Sequence, residues 1–321
     1  MRSSFFRAAS TFSRNIQTRA YSTPRHLMSI ADLSSNELAK LVLNAAEYKA
    51  AYKAGNFPEK LKGSLSGPAV ALMFSKRSTR TRVSTESAVS MMGGHPMFLG
   101  KDDIQLGVNE SLLDTSKVIS SMTSAIVARV GPHSDVTGLA KDSSVPVINA
   151  LSADFHPLQT IADFLTIHEA FPATAPGSGG LLLGVDVAVA SPKGYGIPDR
   201  MRSLIQSSGS SSKLIETTRP EEAIKDADIL VTDTWVSMGQ EAEAKKRLAS
   251  FAGYQITNEL AARGGAKPSW KFMHCLPRHP EEVADEVFYG PQSLVFQEAE
   301  NRLWAAMAAL DAFVVNKGVI V

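Results

Sequence analysis

Ala69-Val70-Ala71-Leu72-Met73-Phe74-Ser75-Lys76-Arg77-Ser78-Thr79-Arg80-Thr81-Arg82 is the stretch whose reading decides the fold. Its first six residues are an unbroken apolar run, short enough for a strand buried on both faces. The hydroxyls and arginines that follow start a helix, predicted from Thr79 to Met92 and ended by Gly93-Gly94. A buried strand turning directly into a helix is half of a βαβ unit. The free N–H groups and positive dipole end of such a helix attract anions. The dipole contributes only about 0.3–2 kcal/mol, whereas micromolar binding of a phosphate ester needs roughly 8 kcal/mol. Arginines must supply much of the rest, at about 1.5–3 kcal/mol per charge-assisted bond. Arg80 and Arg82 are two apart in the first turn and so diverge. One is expected to reach an anion and the other to make structural contacts. Ser78, Thr79 and Thr81 add short donors. The Gly-rich spacing of a nucleotide P-loop is missing.

Working outward, the same alternation repeats. Ser34-Ser35-Asn36-Glu37 reads as a capping box before an apolar stripe at Leu38, Leu41, Val42 and Ala45. Strands are predicted at Pro96–Leu99, Ala125–Val130 and Val145–Asn149. Helices are predicted at Ser111–Met122, His133–Lys141 and His156–Phe171, the last with Pro157 in its first turn. Strands alternating with helices imply a parallel sheet covered on both faces, with ligands outside the carboxyl ends of its strands. Ser75–Arg82, Arg129–His133 and Leu151–Gln159 should therefore line one crevice.

Pro172–Gly180 is a linker by composition. A second α/β series follows, with strands predicted at Val185–Ala190, Leu214–Glu216, Ile229–Asp233, Tyr254–Thr257 and Phe272–Cys275. A helix is expected around Glu241–Ser250, and a last one, Ala299–Val315, is long enough to fold back on the first domain. The expected organisation is a leader at 1–31, a first domain at 32–171, a linker at 172–180 and a second domain at 181–298, with 299–321 returning to the first.

Composition narrows the function. Residues 1–31 carry Arg2, Arg7, Arg14, Arg19 and Arg25 and no acid, interspersed with Ser and Phe, the pattern of a mitochondrial transit peptide. Without those five, the 33 Lys and Arg fall to 28 against 32 Asp and Glu, a balance unlike that of a nucleic-acid binder. No apolar run approaches the ~18 residues of a membrane span. The single cysteine, Cys275, makes an intramolecular disulfide or a cysteine metal cluster impossible.

Other polar residues follow predicted strands. Arg129 ends an apolar strand, where a cation needs an anion or dipole to face. His156 and Gln159 flank Pro157 and can aim at the crevice. In the second series, Asp233 stands at a strand's carboxyl end, a position suited to a substrate ammonium. His274-Cys275-Leu276-Pro277-Arg278 follows another strand, and adjacent strand residues face opposite ways, which argues against a Cys–His nucleophile pair. Arg302, beside Glu298 and Glu300, reads on its own as a salt-bridged surface residue.

Ser-Thr-Arg-Thr-Arg, His-Pro-x-Gln and His-x-Leu-Pro-Arg together resemble the transcarbamoylases. Asp233-Thr-Trp-Val-Ser-Met-Gly-Gln-Glu241 and the Cys of His-Cys-Leu-Pro-Arg resemble the ornithine-specific branch of that family, from about Met28 onward. The resemblance implies two doubly wound parallel-sheet α/β domains. It implies carbamoyl phosphate held by Ser78, Thr79, Arg80, Thr81, Arg129, His156, Gln159, Cys275, Leu276 and Arg302, with Gln105 contributed by a neighbouring chain. Arg129, His156 and Thr81 would polarise the carbonyl. L-Ornithine would lie near Leu151, Asp233, Ser237 and Met238, with Cys275 orienting its amine. Citrulline and phosphate would be the products. A homotrimer in the mitochondrial matrix, with no metal or organic cofactor, completes the expectation.

One departure stands out. Only residues 181–192 separate the linker from Lys193-Gly194-Tyr195, where the family has a further strand, an Asp-x-Asn-Asn loop and a helix. A deletion near Gly180–Leu181 is expected to remove a central strand and part of the ornithine pocket, and so to weaken turnover. A catalytically inactive subunit that assembles with active ones, or a carbamoyltransferase for a related amine, are the alternative readings.

Overall fold

The computed structural model describes residues 23–104, 110–172, 184–207, 212–236 and 243–321. The first half runs α1 (Ser35–Lys53), β1 (Val70–Phe74), α2 (Arg80–Met91), β2 (Pro96–Leu99), α3 (Leu112–Met122), β3 (Ala125–Arg129), α4 (His133–Asp142), β4 (Val147–Leu151) and α5 (Pro157–Ala170). The second continues with β5 (Val187–Ala190), α6 (Asp199–Ser207), β6 (Leu214–Thr217), α7 (Pro220–Ile224), β7 (Ile229–Val231), α8 (Ala244–Ser250), α9 (Asn258–Gly264), β8 (Lys271–Met273), α10 (Asp285–Phe288) and α11 (Val295–Leu310). Among the described residues no helix is long and apolar enough to cross a membrane.

α1 starts where its sequence says it should. Ser34 Oγ accepts from the Glu37 N–H and the Glu37 side chain returns to the Ser34 N–H, closing the capping box. Its apolar stripe, Leu38, Leu41, Val42 and Ala45, is buried. α2 ends at Gly93, whose φ of +76° and close approach to Gly63 leave no room for a side chain; a Cβ would sit 2.7 Å from Gly63 Cα.

The first sheet is parallel, in the order β2-β1-β3-β4. Every residue of β1 is buried, as a strand covered on both faces must be. Phe74 pairs with Arg129, and Arg129 with Leu151, so three strand ends reach the same rim. Leu27 adds a short parallel bridge along β4. Its N–H donates to Val147 O at 3.0 Å, and its carbonyl accepts from Asn149 N at 2.8 Å. Leu27 is fully buried. Residues 25–29 are thus part of the first domain, which shortens the leader expected to extend to residue 31. α11 begins at Val295, earlier than expected, and packs against α1, α2 and α5, so the chain's end completes the first domain's core.

The second half forms two separate parallel pairs, β5-β6 and β7-β8. The strand expected at Tyr254–Thr257 does not form; only an isolated bridge from Ile256 to Val283 remains. Gly253 at φ +91° turns the chain there. Phe251 then stacks with Trp235 and meets Tyr195 and Tyr254 edge-on, which draws the segment into an aromatic cluster instead of a ladder.

Candidate active site

Ser78 stands just before Thr79, the N-cap of α2, and its Oγ accepts from the Thr81 N–H at 3.2 Å. The two arginines diverge as expected. Arg80 turns inward and donates to the carbonyl of Leu276, in the second half of the chain, at 2.6 Å. Arg82 turns outward, pairs with Glu86 at 2.9 Å and lies over the Phe98 ring.

Thr81 is buried, and its hydroxyl is a meeting point. Arg302 donates to Oγ1 at 3.1 Å, and Arg129 approaches the same oxygen at 3.5 Å. Arg302 is not a surface residue: it is 3% exposed and donates to Gln159 Oε1 at 2.5 Å. Burial pulls its pKa down to about 10, with Asp163 opposing, so it stays charged at neutral pH. Desolvation, then the charges of Arg302, Arg129 and Arg80, drive His156 well below the usual histidine range, so its imidazole is neutral. The Nε atoms of Arg129 and Arg302 and the Nδ1 of His156 are buried without a partner among the described residues. Cations converging around unpaired nitrogens form a site suited to an anion.

Across the crevice, Cys275 Sγ donates to Asp233 Oδ1 at 2.8 Å. Burial and the neighbouring Asp233 carboxylate push the thiol far above its ordinary range, so it carries its proton and is not a thiolate. His274 faces away from it. Its Nε2 meets Glu282 Oε2 at 3.1 Å, while Nδ1 accepts from the Leu276 N–H at 2.8 Å. This sets an Nε2–H tautomer and holds Leu276 at φ +63° with its carbonyl toward Arg80. Leu151 ends β4 at the same rim. Gln105, Ser237 and Met238 lie outside the described residues.

Three carboxylates that sequence reading did not assign organise this site. Glu282 accepts from Trp235 N at 2.9 Å and His279 N at 2.8 Å, tying the Asp233 loop to the Cys275 turn. Glu298 accepts from Gln159 Nε2 at 3.0 Å and from His274 N at 2.9 Å. Gln159 also donates to Asp163 at 2.7 Å. Burial raises both Asp163 and Glu298 above the usual carboxylate range, and the Asp163 charge raises Glu298 further, so the pair keeps a proton at neutral pH. The available sequence signal was the spacing of Gln159 and Asp163, and of Glu298 and Arg302, one helical turn apart.

The aspartate/ornithine carbamoyltransferase carbamoyl-P binding domain matches residues 25–169, and the Asp/Orn binding domain matches residues 178–313. The chain belongs to the aspartate/ornithine carbamoyltransferase family. The mitochondrial ornithine carbamoyltransferase of Coccidioides immitis is 62% identical over 336 residues, covering 94% of this chain and 96% of that protein. Its crystal structure superposes with a TM-score of 0.85, at 61% identity, over 94% of this chain and all of the other. The Pyrococcus furiosus ornithine carbamoyltransferase matches with a TM-score of 0.81 at 40% identity, covering 92% of this chain and 98% of that one. These likenesses carry no support for an inactive subunit, an impaired form or a different acceptor amine. Arg80, in the first matched domain, donates to the Leu276 carbonyl of the second, so this crevice lies where the two matched domains meet.

Proposed function

We propose that this chain transfers the carbamoyl group of carbamoyl phosphate to the δ-amine of L-ornithine, giving L-citrulline and phosphate. One observation carries the reading: Thr81 Oγ1 stands between Arg129 and Arg302, with neutral His156 beside them and the Cys275–Asp233 pair opposite. The phosphate is assigned to the start of α2, with Ser78, Thr79, Arg80 and Thr81. Arg129, His156 and Thr81 take the carbonyl oxygen and stabilise its developing negative charge. The δ-nitrogen attacks the carbonyl carbon, a C–N bond forms, and the carbon–oxygen bond to phosphate breaks. Phosphate departs with the electron pair, and the amine's proton is released to it or to solvent. Asp233 and the Cys275 thiol orient the amino acid, with Leu151, Leu276, Ser237 and Met238 assigned to its remaining contacts. Only the neutral amine attacks, and at pH 8 about 1% of an alkylamine is neutral, so the rate rises with pH.

The test is the purified 321-residue chain with carbon-labelled carbamoyl phosphate. Labelled citrulline equal to released phosphate is expected with ornithine, and none with putrescine or N-acetylornithine. Phosphate release without citrulline overturns the assignment.

A homotrimer with Gln105 reaching a neighbour's site is part of the same proposal. Exposed apolar side chains on α2, β2 and α3 support it: Val83, Met97 and Met122 are 58%, 39% and 62% exposed. Light scattering at three times the chain mass checks it. The acid-free leader and the mitochondrial names of the relatives support a matrix location, testable by import of a fluorescent fusion.

A further inference from the structure

Among the described residues, strands β5 and β7 each have a partner on one side only. Val187 N donates to Lys213 O at 2.8 Å and Ser191 N to Thr217 O at 3.1 Å, so alternate residues of β5 face β6. By the same parity, the backbone N–H and C=O groups of Ala188 and Ala190 point to the opposite edge. On β7, Asp228 O accepts from Lys271 N at 2.9 Å and Thr232 N donates to Met273 O. Ile229 and Val231 therefore present their backbone away from β8. These two free edges line one cavity of about 150 Å³, bounded by Ala188, Ala190, Ile229 and Val231, with Ile224 and Leu260 behind them. Val187 and Val231 are 45% and 63% exposed, whereas the corresponding inner strand of the first sheet is wholly buried.

Two parallel pairs whose unpaired edges share a cavity lined by apolar side chains and backbone polar groups call for a specific occupant. A helix cannot satisfy both rows of backbone groups; an extended chain running parallel to both can. The alignment to the Coccidioides immitis relative runs to 336 positions, more than the 321 residues of the whole chain, so that relative carries residues with no counterpart here.

We propose that the cleft between β5 and β7 is a docking site for an extended apolar segment of about five residues, drawn from the residues that the relative carries without a counterpart here. Bound in trans, it completes a sheet of order β6-β5-segment-β7-β8. Because β7 leads directly into Asp233, the added strand also fixes that carboxylate; this second consequence rests on the proposed function.

The probe is a synthetic peptide copying the unmatched stretch of the Coccidioides immitis protein, with a scrambled peptide and a backbone N-methylated one as controls. The protein is the full chain. Saturable binding by fluorescence anisotropy is expected for the native peptide alone. It should come with about ten-fold slower amide exchange at 187–190 and 229–231 and no change in β1. Ornithine KM should fall several-fold in the same samples. Equal binding by the scrambled or N-methylated peptide overturns the proposal, as does no binding. It is also overturned if the free chain already protects Ala188 and Val231 as strongly as β1. That result means β5 and β7 pair directly, in the pattern of the first sheet. Binding and exchange decide the proposal even for a chain that forms no citrulline, so the two readings fail separately.

Discussion

One hydroxyl oxygen, Thr81 Oγ1, draws together a guanidinium from a strand end and another from the last long helix. Thr81→Val keeps the shape and removes the acceptor, leaving two buried cations misaligned. Its kcat/KM for carbamoyl phosphate should fall about ten- to hundred-fold, the worth of one charge-assisted bond, with little change in Tm. A value equal to the parent's would remove Thr81 from the site. Cys275→Ser keeps a hydroxyl donor on Asp233 and should retain activity within about ten-fold. Intact-mass measurement should find no carbamoyl adduct on Cys275 in the parent; such an adduct would restore the nucleophile reading. Glu298 makes a pH prediction. Its folded-state pKa is raised, so its stabilising effect is complete below the ordinary carboxylate value of ~4.3. That effect is lost as pH rises through the raised folded value. The parent's Tm should decline between pH 5 and 9, and Glu298→Gln, which cannot ionise, should decline less. Equal slopes by scanning calorimetry would place the titration elsewhere. Ser78–Arg82 was legible in the sequence because the whole grip is contiguous. Glu298 and Arg302 read as surface charges because their burial is decided by α11 meeting α5 and α2, which no local spacing reveals.

At the scale of elements, α11 carries Arg302 to the crevice, and a buried lysine helps hold it there. Lys49 of α1, 6% exposed, donates to Glu169 of α5 at 2.8 Å and to Asn301 of α11 at 2.7 Å. Removing Lys49 leaves the partly buried Glu169 with only the amides of Gln297 and Asn301 to face its charge. Lys49→Ala should cost about 3 kcal/mol in urea unfolding while leaving KM nearly unchanged, since no substrate group touches it. A loss below about 0.5 kcal/mol, typical of exposed pairs, would contradict that role. Helices with caps and buried strands of the first half were readable from periodicity and turn chemistry. Tyr254–Thr257 was not: its apolar and aromatic residues suit a strand, but Gly253 turns the chain and three neighbouring aromatic rings offer better burial.

At the scale of the molecule, the two halves are held by different means. The first has a four-stranded, doubly covered sheet capped by α11, and the second has, among the described residues, two short ladders around a cleft. The alternation of elements announced both, but the split of the second sheet depends on which edges meet, and a sequence does not state adjacency. The bridge from Leu27 to β4 bears on maturation. Arg25 pairs with Glu37 and donates to the Gly318 carbonyl, and Asn149 Nδ2 donates to Met28 O at 2.8 Å. Trimming of the amino-terminal arm that keeps these contacts must therefore stop before Arg25. A chain beginning at Thr23 should remain monodisperse by light scattering; one beginning at Ile30 should aggregate. Loss of that short arm uncovers the edge of β4, and a bare strand edge recruits other chains. Equal dispersity of the two truncations would show that the arm only decorates the sheet. Otherwise, colloidal behaviour is set by where the arm begins, a few residues early or late.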